Sequence, residues 1–313
     1  MRRLVLPLLL ACLAPAARAD RFELKDGSAV SGALIREEAG VLVVLTASGE
    51  KQLRAADVTA VVAEEVPPAL QKKAEKARLA WFQRQEKEVK ALIRRHARAR
   101  SAEDRAAAVG SLQAIAPEAQ LGPLADAADE SDAATRELAL ARLKELPIAG
   151  ATDALLRIAM CSKRSDSRDG AHLAAVARDA ERARTVYEAV LESPTKASRR
   201  FHALGHLAAM GRKESVPGLI LALERINSEV RASLATAGQS RQSTVNLGST
   251  GGAATQVPIE LPQMQLIEVQ ASSSVTVLRQ LQEETQRVLR GLSGVDKGKD
   301  PAAWRKWYED EKK

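Results

Sequence analysis

Residues 202–224 read HALGHLAAMGRKESVPGLILALE, and the fold follows from how that stretch is built. Ala203, Leu204 and Leu207 line one side of a helix, and Gly211-Arg212-Lys213 supplies a turn. A second helix opens at Glu214-Ser215-Val216-Pro217, where a proline in the first turn has no intrahelical bond to lose. The pattern recurs outward from it. Arg105, Arg136, Arg168, Arg200 and Arg231 stand 31, 32, 32 and 31 residues apart. Four residues after three of them come Val109, Leu140 and Leu204, and seven after come Leu112, Leu143 and Leu207. Small residues Ala108, Ala139 and Ala203 precede the first set, and Leu124, Leu155 and Leu219 lie twelve beyond the second. Each unit is one apolar-striped helix, a turn, and a second helix. One such hairpin cannot cover its own apolar face, whereas stacked hairpins bury a continuous core between neighbours.

The register and the 202–224 hairpin resemble the HEAT-repeat family, in particular short bacterial HEAT-like units, over residues 101–237 and a final helix. The resemblance implies a mainly α fold: a HEAT-like α-solenoid of about five helical hairpins. It says little of function, since such stacks serve many roles. The unit at 168–192 is degenerate, with His172 and Ala175 in the leucine positions, and its helices are expected at 169–178 and 181–192.

The fifth unit breaks off after Ala237. Residues 238–272 turn rich in Gly, Ser, Thr and Gln, with β-like runs at 243–247 and 257–270, and read as a β-hairpin or a flexible insertion. Helix is expected again from Ser274 to Leu292 within a closing segment, 273–313. Its tail, DPAAWRKWY at 300–308, is similar to the "DPxxWRxWW" end of some HEAT-like proteins. Asp300 before Pro301 forms an N-cap, and Trp304, Trp307 and Tyr308 share one helical face that would seal the last repeat.

Toward the N-terminus, residues 20–66 read as five short strands: Phe22–Leu24, Ala29–Ile35 with Gly32 as a bulge or bend, Val41–Leu45, Lys51–Leu53 and Val58–Val62. "LKDGSAVSGALI" and "ADVTAVV" resemble the SH3-like or Sm-like small β-barrels at the front of many exported bacterial proteins. Residues 1–19 read as a signal peptide: Arg2-Arg3, an apolar run from Leu4 to Leu13, and Ala17-Arg18-Ala19 as cleavage pattern. The expected location is periplasmic or extracellular. The competing reading takes Leu9-Leu10-Ala11-Cys12 as a lipoprotein box with Cys12 acylated. After cleavage 44 basic side chains face 40 acidic ones, and one cysteine, Cys161, remains, so no internal disulfide can form. No later segment is apolar enough to span a bilayer.

Between the two regions, residues 67–100 form a connecting helix. From 71 to 100 eleven Lys/Arg oppose three Glu, leaving the rest of the cleaved chain slightly acidic. A solvated helix face is the plain account of that charge, and attraction to an anionic envelope lipid or polymer is the alternative. Export, and the lack of aromatic side chains for stacking, argue against nucleic acid. Trp81-Phe82 reads as core packing.

Catalytic signatures are missing. No G-x-S-x-G occurs, and Gly248–Gly252 has no Lys-Ser/Thr after it, so it is not a phosphate loop. Glu283-Glu284 fall on a solvated helix face. His202 and His206 have the i, i+4 spacing of a metal pair but no Glu between them. In the repeat register His202 replaces core Leu138 and His206 replaces surface Arg142, so both read as structural. Cys161 reads as a free buried thiol. No catalytic, cofactor-binding or metal-ligating residue is assigned, and binding residues stay unassigned. The expected function is a non-enzymatic exported scaffold gripping a protein partner. The alternatives are an anionic-surface binder acting through 71–100, and a lyase or hydrolase on a HEAT-like stack, as with the bilin lyases that share this repeat type.

Overall fold

The structure is a computed structural model. It describes residues 19–38, 40–64, 67–193, 195–245 and 261–312, with backbone alone at 19, 236–245 and 261–273. The signal-peptide and lipoprotein readings and Gly248–Gly252 lie outside the described residues. The protein is mostly helical, with one small antiparallel sheet, and divides into two compact units at Pro123/Leu124.

The N-terminal unit starts with β1 (Ala19–Leu24), β2 (Ala29–Glu38), β3 (Val41–Thr46), β4 (Gly49–Arg54) and β5 (Val58–Glu64). They form one sheet of order β4-β3-β2-β1-β5, antiparallel throughout. Consecutive strands pair through short turns, and the last returns to the first. Phe22, Leu42, Val44 and Leu53 form its buried cluster, with Leu24, Val30, Leu34, Ala55 and Val58 packed around them. Val43, on the opposite face by alternation, is buried too, and α1 (Pro68–Arg98) packs on β2 and β3. Gly32 is not the bulge expected of it. The register shifts further on, between Leu34 and Arg36, and a Cβ at Gly32 would lie 2.5 Å from the Leu45 carbonyl oxygen. The glycine allows close approach of β3 rather than a bend.

Helix α1 buries Ala74, Val89 and Ile93 and packs against α2 (Ala102–Gln113). Ser101 caps α2 by accepting from the Asp104 N–H at 3.0 Å. Helix α3 (Pro117–Ala127) carries the division between the units.

The C-terminal unit continues with α4 (Ala133–Glu145), α5 (Ala149–Cys161), α6 (Ser165–Arg178), α7 (Ala180–Glu192), α8 (Ala197–Met210), α9 (Val216–Val245), α10 (Leu261–Ser293) and α11 (Pro301–Glu311). The recurrent small and leucine positions are its core: Ala139, Leu143, Leu155, Ala203, Leu207 and Leu219 have no solvent exposure. Each fully buried leucine stabilises by roughly 1.5–3 kcal/mol relative to an exposed one. Gly211 ends α8 at φ +63°, its N–H reaching the Leu207 and Ala208 carbonyls, a left-handed cap favouring glycine. Asp300 caps α11, Trp304 is fully buried with its indole N–H on the Gly298 carbonyl at 2.9 Å, and α11 packs on α9.

The reading of 238–272 as a β-hairpin is corrected at both ends. Helix α9 runs on to Val245 and α10 begins at Leu261 rather than Ser274. Gln, Ser and Ala along these stretches are ordinary helix residues once neighbouring turns propagate. Residues 246–260 lie outside the described residues.

Candidate functional site

Several of the hydrogen bonds that tie the C-terminal unit together join residues 29 to 35 positions apart. Arg136 on α4 reaches Asp166 on α6, 30 residues on, and also donates to the Ser131 carbonyl at 2.7 Å. Ser162 bonds Asp129, 33 residues back, and Arg164 donates to the Asp129 carbonyl. Arg178 donates to the carbonyls of Lys144 and Ile148, 34 and 30 residues away, at 2.5 and 3.0 Å. Arg182 forks onto Asp153, Arg184 reaches the Glu214 carbonyl, and Arg200 holds Glu229 at 2.7 Å, at separations of 29, 30 and 29. Three of the recurring arginines, Arg136, Arg168 and Arg200, therefore have a physical role. Arg136 and Arg168 each donate to the carbonyl six residues upstream, those of Glu130 and Ser162, fastening the preceding loop to the helix that follows it. The Arg136 guanidinium holds the exposed Asp166 carboxyl below the usual carboxylate range.

Inside this framework lies a buried aromatic cluster that the sequence showed only as scattered residues. His172 on α6 and His206 on α8 stack with ring centroids 4.3 Å apart and planes 12° from parallel. Tyr187 on α7 packs against both, its hydroxyl 3.1 Å from His172 Nδ1. All three are buried, with Tyr187 fully so. Burial pushes the His172 pKa down to about 4, with His206 adding to the fall and Asp169 opposing it. Burial lowers His206 as well and raises Tyr187.

The spacing of His202 and His206 has its own explanation. His202 Nδ1 lies 2.9 Å from the Met160 carbonyl oxygen, and His206 Nε2 lies 3.0 Å from that of Ala159. Both carbonyls are in the last turn of α5, where no intrahelical N–H remains to satisfy them. The i, i+4 pair on α8 thus caps the C-terminus of α5. One assignment changes: His206 is buried and His202 half-buried, the reverse of the register, because α8 packs on α5, α7 and α10 and has little free face. No group of three or more metal-ligating side chains occurs among the described residues.

Cys161 is corrected from buried to exposed. The inward stripe of α5 runs through Leu155, Ile158 and Ala159 and on to Ser162, and Cys161 falls one residue off it. Glu283 is exposed, and Glu284 is half-buried and paired with Arg287. Trp81 and Phe82 are half-buried, edge to face at 5.4 Å.

The two best-formed depressions among the described residues are open and shallow. One, of about 410 Å³, is lined by Phe201, Gln280, Glu283, Glu284, Arg287 and Arg290. The other, of about 310 Å³, is lined by Glu192, Leu221, Glu224, Arg225 and Ser228. Opposed carboxylates and guanidiniums along such rims suit a polar macromolecular surface better than an enclosed small molecule. Among the described residues no helix is long and apolar enough to cross a membrane.

These features define a class in structural terms only: a mostly helical protein with a small antiparallel sheet in its N-terminal part. No family model, curated protein or solved structure matches the chain.

Proposed function

We propose that this protein is a non-enzymatic, exported scaffold whose HEAT-like hairpin stack grips a protein partner, with the N-terminal sheet acting as an SH3-like or Sm-like module. The hydrogen bonds recurring at separations of 29 to 35 residues, one repeat length, carry this reading. Contacts to the neighbouring repeat are what a stacked array makes, and such an array presents an extended face rather than a closed chamber. The order β4-β3-β2-β1-β5 supports the small-barrel reading of the sheet. Leu173 on α6 and Leu221 on α9, 68% and 47% exposed, are apolar points where a partner would find anchors.

Cross-linking in envelope extracts, read by mass spectrometry, tests the proposal. A reproducible protein partner cross-linked within 124–313, and weakened at least tenfold by L173E or L221E, is expected. No partner, or one indifferent to both variants, would refute it.

A further inference from the structure

We infer that the exposed face of α1 is a docking surface for an anionic phospholipid bilayer, onto which the protein adsorbs by charge without inserting. This goes beyond the partner-binding reading, and it rests on residues of the N-terminal unit alone. Helix α1 is 31 residues long, about 46 Å at 1.5 Å per residue. At 100° per residue, nine of its ten cations, Lys72, Lys73, Lys76, Arg84, Lys87, Lys90, Arg94, Arg95 and Arg98, fall within an arc of about 140°. All nine are exposed, and none of the three glutamates of α1 lies in that arc. Ala74, Val89 and Ile93 point the opposite way and are buried, in a helix that packs on β2, β3 and α2. The helix is therefore held by its apolar side and offers solvent a uniformly cationic one.

Geometry selects the partner. The cations run along the helix axis from position 72 to 98, about 39 Å, and share one face that a plane can meet. A duplex groove curves away from a straight rod over that distance. Between the cations the arc carries Ala69, Ala80, Ala91 and Gln83, nearly devoid of groups that read base edges. Trp81 and Phe82 lie outside it and are half-buried, which leaves no ring to stack on a single strand. A sheet of lipid phosphates asks only for clustered positive charge near the plane. Leu79, 60% exposed, borders the arc, and one leucine is too little apolar area to anchor a helix in the acyl region.

The test is co-sedimentation of the full chain with vesicles of phosphatidylcholine, with and without 30% phosphatidylglycerol as the added probe. The comparator is the triple variant K87E/R94E/R98E, which alters exposed side chains only, with its fold checked by circular dichroism. Each cation near an anionic surface contributes roughly fivefold in affinity, so the variant should lose on the order of a hundredfold or more. Raising salt from about 0.1 to about 1 M, which shortens the screening length from roughly 10 to 3 Å, should abolish binding by the native chain. Binding to pure phosphatidylcholine, binding retained in the variant, or binding that survives high salt would overturn the proposal and point to the apolar run at Leu4–Leu13, which both chains share. Preference for a DNA duplex or a soluble polyanion over the vesicles at equal anion concentration would overturn it in favour of a polymer partner.

Discussion

The sheet and the helical unit solve the problem of burial in different ways. In the sheet, Phe22, Leu42, Val44 and Leu53 make one compact cluster, assembled mainly by strands adjacent in sequence. In the C-terminal unit the apolar core is spread over many helices, and several polar cross-ties join residues about thirty positions apart. A single cluster concentrates stability in a few residues. A distributed core shares it out, and it places arginines and the histidines His202 and His206 where they fasten a neighbouring helix end or loop.

The largest expected effects test whether the two regions unfold independently. Phe22→Ala should cost about 3–5 kcal/mol and Leu207→Ala about 2–5 kcal/mol, both being fully enclosed. Hydrogen exchange followed by mass spectrometry should show faster exchange confined to β1–β5 for the first and to α4–α9 for the second. Uniform acceleration in both would end the comparison.

Next comes pH, which should act on the helical unit and spare the sheet. His172 takes up a proton near pH 6.5 in the unfolded chain but only near 4 in the folded protein. The unfolded state therefore binds more protons between these values. Stability is fully present above pH 6.5 and falls as the pH drops toward 4, by on the order of 3 kcal/mol. His206 shifts in the same direction. Melting temperatures from pH 7.5 to 4.5 should slope downward in the native protein and less steeply in His172→Gln. Equal slopes would show that the stacked imidazoles do not govern acid sensitivity.

A smaller effect belongs to the sheet. Gly32→Ala places a methyl group against the Leu45 carbonyl and Val44, and should cost roughly 1–3 kcal/mol in urea unfolding. A neutral result would mean that β3 has room to shift. Smallest is Asp300→Ala, which removes the acceptor for the Ala302 N–H and should cost about 1 kcal/mol in thermal unfolding, the increment of an ordinary N-cap.

Much of the fold was legible in the sequence. Ala108, Leu112, Ala139, Leu143, Ala203 and Leu207 form a register, and every one of them is fully buried. The five strands fall within a few residues of their expected places, and α1 stands where the connecting helix was expected. The candidate site was far less visible. His172, Tyr187 and His206 stand 15 and 19 residues apart in succession, a spacing with no periodic meaning, so only the meeting of α6, α7 and α8 makes them a cluster. A signal was present in the degenerate unit, where a histidine occupies a leucine position and must find a buried polar partner. The stretch at 238–272 misled because polar composition resembles a loop, whereas helix can be carried into such residues from either side.

What the sequence determined by itself was whatever depends on local periodicity: which residues face inward, where helices turn, and that α1 carries its charge on one side. What tertiary structure alone decided was the pairing of distant groups. Examples are Arg178 on a carbonyl thirty residues back, the two imidazoles on the end of α5, and Gly32 beneath the Leu45 carbonyl. Periodicity follows from the geometry of one helix or strand. A hydrogen bond between residues thirty positions apart depends on how whole helices are stacked, which no local pattern encodes.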